Sequence, residues 1–276
     1  MSHIAVILTV HDRCDCTISC LNSLSQGIQM DFDVYMTDDG CTDGTPEKVH
    51  ELFPDVNILK GDGNLYWNRG MCLAFEAALA IGYNYYLWIN DDTIVVPGFL
   101  KELIVYAQQM NNNAIVCGVC IDPDSKDRTY GVYTKNVKPL PISEEIQTGY
   151  FSCGNLLLIP SQVTSVLGNI DNYFRHSLGD FDYCGRAVKA GFKVIQSPGY
   201  LAYCRRHTEL PKWRDKNYSL KERLNHLYSP TGRNPYEFLH FDVRHYGIIT
   251  AVKHYISIHL RCILPTLFLF EYTEKE

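Results

Sequence analysis

Three polar clusters stand directly after apolar runs in this chain, and two of them are rich in carboxylates. Asn90-Asp91-Asp92 follows Tyr85-Tyr86-Leu87-Trp88-Ile89. Asp38-Asp39-Gly40-Cys41-Thr42-Asp43-Gly44-Thr45 follows the apolar stretch that ends at Met36, and His11-Asp12-Arg13 follows the run from Ile4 to Val10. An isolated Asp-Asp pair is ordinarily a solvated loop with a capping Asp. Adjacent side chains on a strand point to opposite faces, so Asp91 and Asp92 serve one site only where the strand turns out into a loop. Thr93 and the later Pro97-Gly98 permit that turn. Two carboxylates beside a diphosphate repel it, and a divalent oxygen-seeking cation, Mn2+ or Mg2+, resolves the conflict by bridging them. At Asp38-Asp39, an acid at a strand end can accept hydrogen bonds from a nucleobase imide or a ribose hydroxyl. Alone, that segment is an ordinary turn with a helix cap.

The elements that must position these residues follow from the hydrophobic pattern. Residues 4–10, 33–36, 56–59, 85–89 and 115–121 read as strands. Helical patterns occupy 18–24, 45–53, 71–81 and the stretch from Pro97, with Thr45 as a hydroxyl cap and Pro46 at the first helical position. Strand–helix alternation of this kind predicts an α/β fold, a mostly parallel sheet with helices on both faces. Ligands in such sheets bind at the carboxyl ends of the strands, where all three polar clusters fall. Residues 156–159 and 194–195 read as further strands, and 180–190 as a helix stopped by Gly191. Gly154-Asn155 can shape a pocket by close backbone approach.

Bulk properties narrow the function classes. A formal net charge of −6 argues against a nucleic-acid partner. The 11 cysteines are scattered, with no metal-finger spacing. Their odd number and the uncharged, short apolar start point to reduced thiols and a cytoplasmic location, including the inner face of a membrane. No stretch reaches the roughly 20 apolar residues of a membrane span. Residues 1–223 read as the α/β domain and 224–276 as a helical C-terminal extension. In that extension Ile248, Val252, Ile256, Leu260 and Ile263-Leu264 recur at helical spacing up to Pro265. The helix they imply can pack on the domain, form a homodimer, or make a peripheral membrane contact.

The ordered set of clusters resembles the family-2 glycosyltransferases of the GT-A fold. The run from Ile7 to Arg13, Asp-Asp-Gly-Cys-Thr-Asp-Gly-Thr and Asn-Asp-Asp carry the likeness. So do Gly63-Asn64-Leu65-Tyr66-Trp67-Asn68-Arg69-Gly70-Met71 and Gly179-Asp180-Phe181-Asp182-Tyr183-Cys184-Gly185-Arg186. The likeness covers roughly residues 3–207 and lies nearest the bacterial rhamnosyltransferase-like subgroup. It implies a Rossmann-like nucleotide-binding half and an inverting transfer of a sugar from a nucleotide-diphosphate donor to a carbohydrate or lipid-linked acceptor. It implies that Thr9, His11, Arg13 and Asp39 border the nucleoside, with Asp38 alongside. Asn64, Trp67 and Arg69 lie on a donor-side loop, with Arg69 toward base or phosphates. Asn90 and Asp91 contact the donor, as Gly154 would, and Asp92 and His207 ligate a divalent metal. Asp180 is the implied catalytic base. Two positions depart from the pattern: Asn90 replaces the usual first acid, and Gly179 replaces the usual Glu, which leaves Asp182 open as an alternative base. A sugar nucleotidyltransferase and a non-catalytic nucleotide-sugar-binding protein are the competing readings.

Overall fold

The computed structural model describes residues 3–28, 30–206 and 209–268. The chain divides into two compact units, Met1–Asn172 with Gly179–Arg206, and Tyr173–Leu178 with His207–Glu276.

The first unit begins with β1 (Ile4–Val10), α1 (Cys14–Gly27), β2 (Phe32–Asp38), α2 (Thr45–Leu52), β3 (Asn57–Lys60), α3 (Tyr66–Ile81) and β4 (Tyr85–Ile89). It continues with β5 (Ile94–Val95), α4 (Phe99–Gln109), β6 (Ala114–Cys117), β7 (Cys120–Ile121), β8 (Arg128–Tyr130) and β9 (Val132–Tyr133). It closes with β10 (Gln147–Gly149), β11 (Phe151–Ser152), β12 (Leu156–Pro160), α5 (Ser161–Leu167), α6 (Gly179–Lys189), β13 (Lys193–Gln196) and β14 (Ala202–Tyr203).

Among the described residues the main sheet has eight strands, in the order β10-β13-β6-β12-β4-β1-β2-β3. β1 is apolar along nearly its whole length because both of its faces are covered. Ile4, Val6 and Leu8 pack with Leu24 of α1 and Phe99 of α4. Ala5 and Ile7 turn the other way, to Met71 and Phe75 of α3 and Trp88 of β4. Phe75, Trp88 and Tyr183 are fully buried and meet edge to face or tilted, with ring centroids 5.0–6.2 Å apart. Burial of side chains this size contributes roughly 1.5–3 kcal/mol each.

β1, β2, β3 and β4 run parallel, and Val10 pairs with Asp38. Their carboxyl ends therefore deliver the three polar clusters to one rim. Two features break the simple alternation. β12 runs antiparallel between β4 and β6. The expected strand over 115–121 divides at Gly118, where a Cβ would lie 2.4 Å from Leu156 Cδ2. The chain bends there, and β7 joins a small second sheet with β5, β14 and β8. α2 also starts differently: Thr45 is its first residue, Gly44 precedes it at φ +82°, and Asp43 Oδ1 accepts from the Thr45 amide at 3.0 Å.

The second unit holds α7 (Leu220–Tyr228), α8 (Pro235–Tyr246) and α9 (Ile248–Ile263). A boundary at 223/224 falls inside α7. Ser219 and Glu222 form a reciprocal capping box at its start. Asn234 caps α8, with Pro235 at its first position. Trp213, Leu227, Ile258 and Cys262 form this unit's core. No helix among the described residues is long and apolar enough to cross a membrane. The 11 cysteines are all free thiols.

Candidate functional site

The turn after β4 sits against the loop after β1. Arg13 Nη1 donates to Asp91 Oδ1 at 3.0 Å, and Nη2 to Asp92 Oδ2 at 2.8 Å. One guanidinium thus spans both acids, a fork geometry that suits two carboxylate oxygens. The adjacent acids converge because β4 ends at Ile89 and the chain is already turning. Burial pushes the Asp91 carboxyl up to about 7, Arg13 opposes that rise, and Asp92 adds to it. Partial burial works against the Arg13 charge, but the two acids overcome it and hold the guanidinium protonated. Cys204 lies on the far side of Asp92, with its thiol donating to Oδ1 at 3.4 Å. Burial, then Asp92, push that thiol up to about 12, so it stays neutral.

A second group of contacts ties this turn to α6. The Trp67 indole N–H donates to Asn90 Oδ1 at 2.8 Å. A Cβ on Gly154 would lie 2.7 Å from Trp67 Cζ2, so only glycine lets the ring reach this place. The Gly154 amide donates to Asp180 Oδ2 at 2.8 Å, and the Phe181 amide donates to Asp180 Oδ1 at 2.8 Å. Asn90, Trp67, Gly154 and Asp180 therefore form one continuous chain of contacts. The antiparallel β12 makes this chain, because the Asn90 amide donates to the Asn155 carbonyl at 3.4 Å and so places Gly154 beside the turn. Asp180 keeps some solvent access, yet burial raises its carboxyl to about 6 against the opposing pull of its backbone donors.

Asp182, two residues further into α6 and so on its other face, is different. Its side chain has no exposed area and accepts from Arg186 Nε at 2.8 Å. Arg186 also donates to the Leu167 and Asn169 carbonyls, so the pair braces α6 against the preceding loop. Gly179 has a local reason too: a Cβ there would lie 1.5 Å from Asn68 Oδ1. The buried Asn68 fills the space that a larger residue would need.

Asp39 organises the loop before α3. Its Oδ1 accepts from the Gly63 and Leu65 amides at 2.9 and 3.1 Å, and its Oδ2 from the Tyr66 amide at 2.8 Å. A carboxylate offers about four acceptor positions, so one remains. Tyr66 is held at φ +57°, in the left-handed region. His11 Nδ1 donates to the Asp39 carbonyl at 2.7 Å, and Asp38 Oδ1 accepts from the Cys41 amide at 2.8 Å. Thr9 lies under α3, where a Cβ on Gly70 would meet its Oγ1. Arg69 donates to the Asn172 carbonyl at 3.1 Å, and Asn64 is exposed with its amide on Asp62. His207 lies outside the described residues. Asp12, Cys41 and Asp43 bring ligand-type atoms within 4.8 Å of one another. Thr42 and Thr45 already donate to those two carboxylates, which mark a turn and a helix start.

Cys204 is the site neighbour that sequence reading left without a role. Its one signal was its position directly before Arg205-Arg206.

Comparison with known proteins agrees with this architecture. No curated protein sequence matches the chain. Among solved structures, the chain is similar to GalNAc-T7 with UDP, GalNAc and Mn2+, at a TM-score of 0.63 and 13% identity. That match covers 94% of this chain and 54% of GalNAc-T7, so the chain spans about half the length of that protein. It is also similar to the mannosyltransferase PcManGT from Pyrobaculum calidifontis in complex with GDP-Man and Mn2+, at a TM-score of 0.57 and 15% identity. That match covers 99% of this chain and 88% of the other. The fold is of the GT-A type. The family profile described as Glycosyl transferase family 2 matches residues 5–161, more than half of the sequence. With that match the sugar-nucleotidyltransferase reading falls away, and the chain belongs to glycosyl transferase family 2.

Proposed function

We propose that the chain transfers a sugar from a nucleotide-diphosphate donor to an acceptor hydroxyl, with inversion and with Asp180 as the base. The observation that supports this most is the contact chain from Asn90 through Trp67 and Gly154 to Asp180. It sets a carboxylate that titrates near 6 beside the acidic turn.

An acceptor hydroxyl is a poor nucleophile at neutral pH. Asp180, ionised above about pH 6, removes its proton as the oxygen attacks the anomeric carbon. The Gly154 and Phe181 amides fix the direction of that carboxylate. Asp182 is fully buried on Arg186, which favours Asp180 for this role. One base suffices for a single displacement, and no covalent intermediate is needed.

Asp92 presents a partly exposed carboxylate, a hard oxygen donor of the kind Mn2+ and Mg2+ take. Asp92 would hold such an ion, which supplies charge stabilisation for the departing diphosphate. Asn90 Oδ1 already accepts from Trp67, so Asn90 positions the ring. Arg13 keeps the two acids together and offers a second positive group beside the diphosphate. Asp39 shapes the donor-side loop through three amides and retains one acceptor position for a nucleoside. One neighbour carries UDP and the other GDP-Man, each with Mn2+, which supports a nucleotide-sugar donor. The rhamnosyltransferase-like resemblance favours a hexosyl or deoxyhexosyl donor, and polysaccharide or glycolipid assembly as the setting.

The test is thermal stabilisation by a panel of nucleoside diphosphates, with and without Mn2+. A true ligand at one hundred times its Kd stabilises by about 2.7 kcal/mol. Stabilisation by at least one diphosphate that depends on the metal is expected. No response to any of them overturns the proposal.

A further inference from the structure

α9 turns its most apolar side outward. Ala251, Ile258 and Cys262 are its buried residues. Ile248, Ile249, Val252, Ile256, Leu260 and Ile263 are all exposed, and Ile249 is 71% exposed. At 100° per residue these six fall in one continuous sector of the helix. The sequence continues the pattern past α9 with Leu267-Phe268-Leu269-Phe270. A single exposed Ile needs no explanation, but an unbroken apolar stripe of this length marks an interaction surface.

The charge around the stripe says what covers it. The chain carries a net −6, yet residues 243–270 contain no Asp or Glu. Of the charged residues of that segment, Arg244 lies on α8, Arg261 is half-buried on another side of α9, and Lys253 stands at the stripe. Lys253 is exposed and borders the apolar sector, where its head reaches a headgroup while its stem follows the apolar face. A second copy of α9 would present the same Lys253 with no acid on that helix to match it. An anionic lipid surface matches both the stripe and the lysine at its border.

We infer that α9 lies flat in the interface of an anionic lipid bilayer, with Ile249, Val252 and Ile256 turned into the acyl boundary. At 1.5 Å per residue the 16-residue helix is about 24 Å long, less than the roughly 30 Å of the bilayer core. This inference is independent of the proposed reaction.

Flotation of the full chain with vesicles tests it. Vesicles of phosphatidylcholine alone are compared with vesicles holding about a third phosphatidylglycerol. Binding to the anionic vesicles, absent from the neutral ones and weakened by salt, is expected. The double variant Ile249→Asp/Ile256→Asp should lower binding at least ~10-fold. Lys253→Glu, which leaves the apolar stripe whole, should lower it about 10-fold. Ile81→Asp, an exposed apolar position on α3, should leave it unchanged. All three changes are at exposed positions, and melting curves check that the fold is kept. Absence of anionic-vesicle binding overturns the inference, as does binding that survives both α9 variants. A dimer in sedimentation that Ile249→Asp/Ile256→Asp splits also overturns it, by assigning the stripe to a second copy.

Discussion

Arg13→Met removes the one cation that spans Asp91 and Asp92 while keeping much of the side-chain volume. Asp91 is 7% exposed and Asp92 19%, so both feel the loss. Removing one partner of a buried pair costs about 3–5 kcal/mol. Arg13 itself is 38% exposed, and solvent screening reduces that figure to about 1–2 kcal/mol. A loss of that size lowers Tm by roughly 2–5 °C in a chain of this length. The pH dependence is the sharper readout. The Asp91 carboxyl titrates near 7 in the fold and near ~3.9 unfolded, so the folded state binds the extra proton between those values. That contribution to stability is full below the unfolded value and is lost as pH rises through 7. Without Arg13 the folded value climbs higher, and the loss continues above pH 7. Thermal melts in metal-free buffer from about pH 6 to pH 9 should show the gap between wild type and Arg13→Met widening as pH rises. A gap that stays constant with pH, or a variant as stable as wild type at pH 8, refutes the role assigned to Arg13.

Three further outcomes follow from the same geometry. Gly154→Ala places a Cβ 2.7 Å from Trp67 Cζ2 and should push the indole off Asn90. Steady-state kinetics should show a loss of roughly 10–100-fold in turnover, since small misplacements near the chemistry weigh heavily. The pH profile of kcat/KM should fall with unit slope below about 6, as Asp180 takes up a proton, and a profile flat to pH 5 would remove it as the base. Gly179→Ala should destabilise the fold by about 1–3 kcal/mol in denaturant titrations, because its Cβ overlaps the buried Asn68 side chain.

Much of the frame was legible in the sequence. The apolar runs of β1, interrupted only by Thr9, and of β4 are near-continuous because both strands are covered on both faces, so their limits could be read directly. Parallel strands then force their polar ends to one rim, which is why the acidic clusters could be grouped without a structure. Direction could not be read, since a short apolar run looks the same parallel or antiparallel, and so β12 was not seen reversing between β4 and β6. The first turn of α3, with Tyr66, Trp67, Asn68 and Arg69, resembles a loop in composition. It starts at Tyr66 because Asp39, far away in sequence, takes up its leading amides. The contacts from Trp67 to Asn90 and from Gly154 to Asp180 join distant segments and leave no local pattern. In α9 the apolar repeat was plain, but its outward orientation was not. The buried side is built from Ala251, Ile258 and Cys262 instead.

The most direct measurement is sugar transfer by Asp180→Asn beside Asp182→Asn, each with nucleoside diphosphate binding followed by thermal shift. Asp180→Asn should keep Mn2+-dependent binding of the diphosphate and lose turnover by about 10²–10⁴-fold, the range for a general base. Asp182→Asn should chiefly lower stability, through Arg186 and the brace on α6. Turnover by Asp180→Asn within tenfold of wild type, with Asp182→Asn inactive yet folded, would contradict the account.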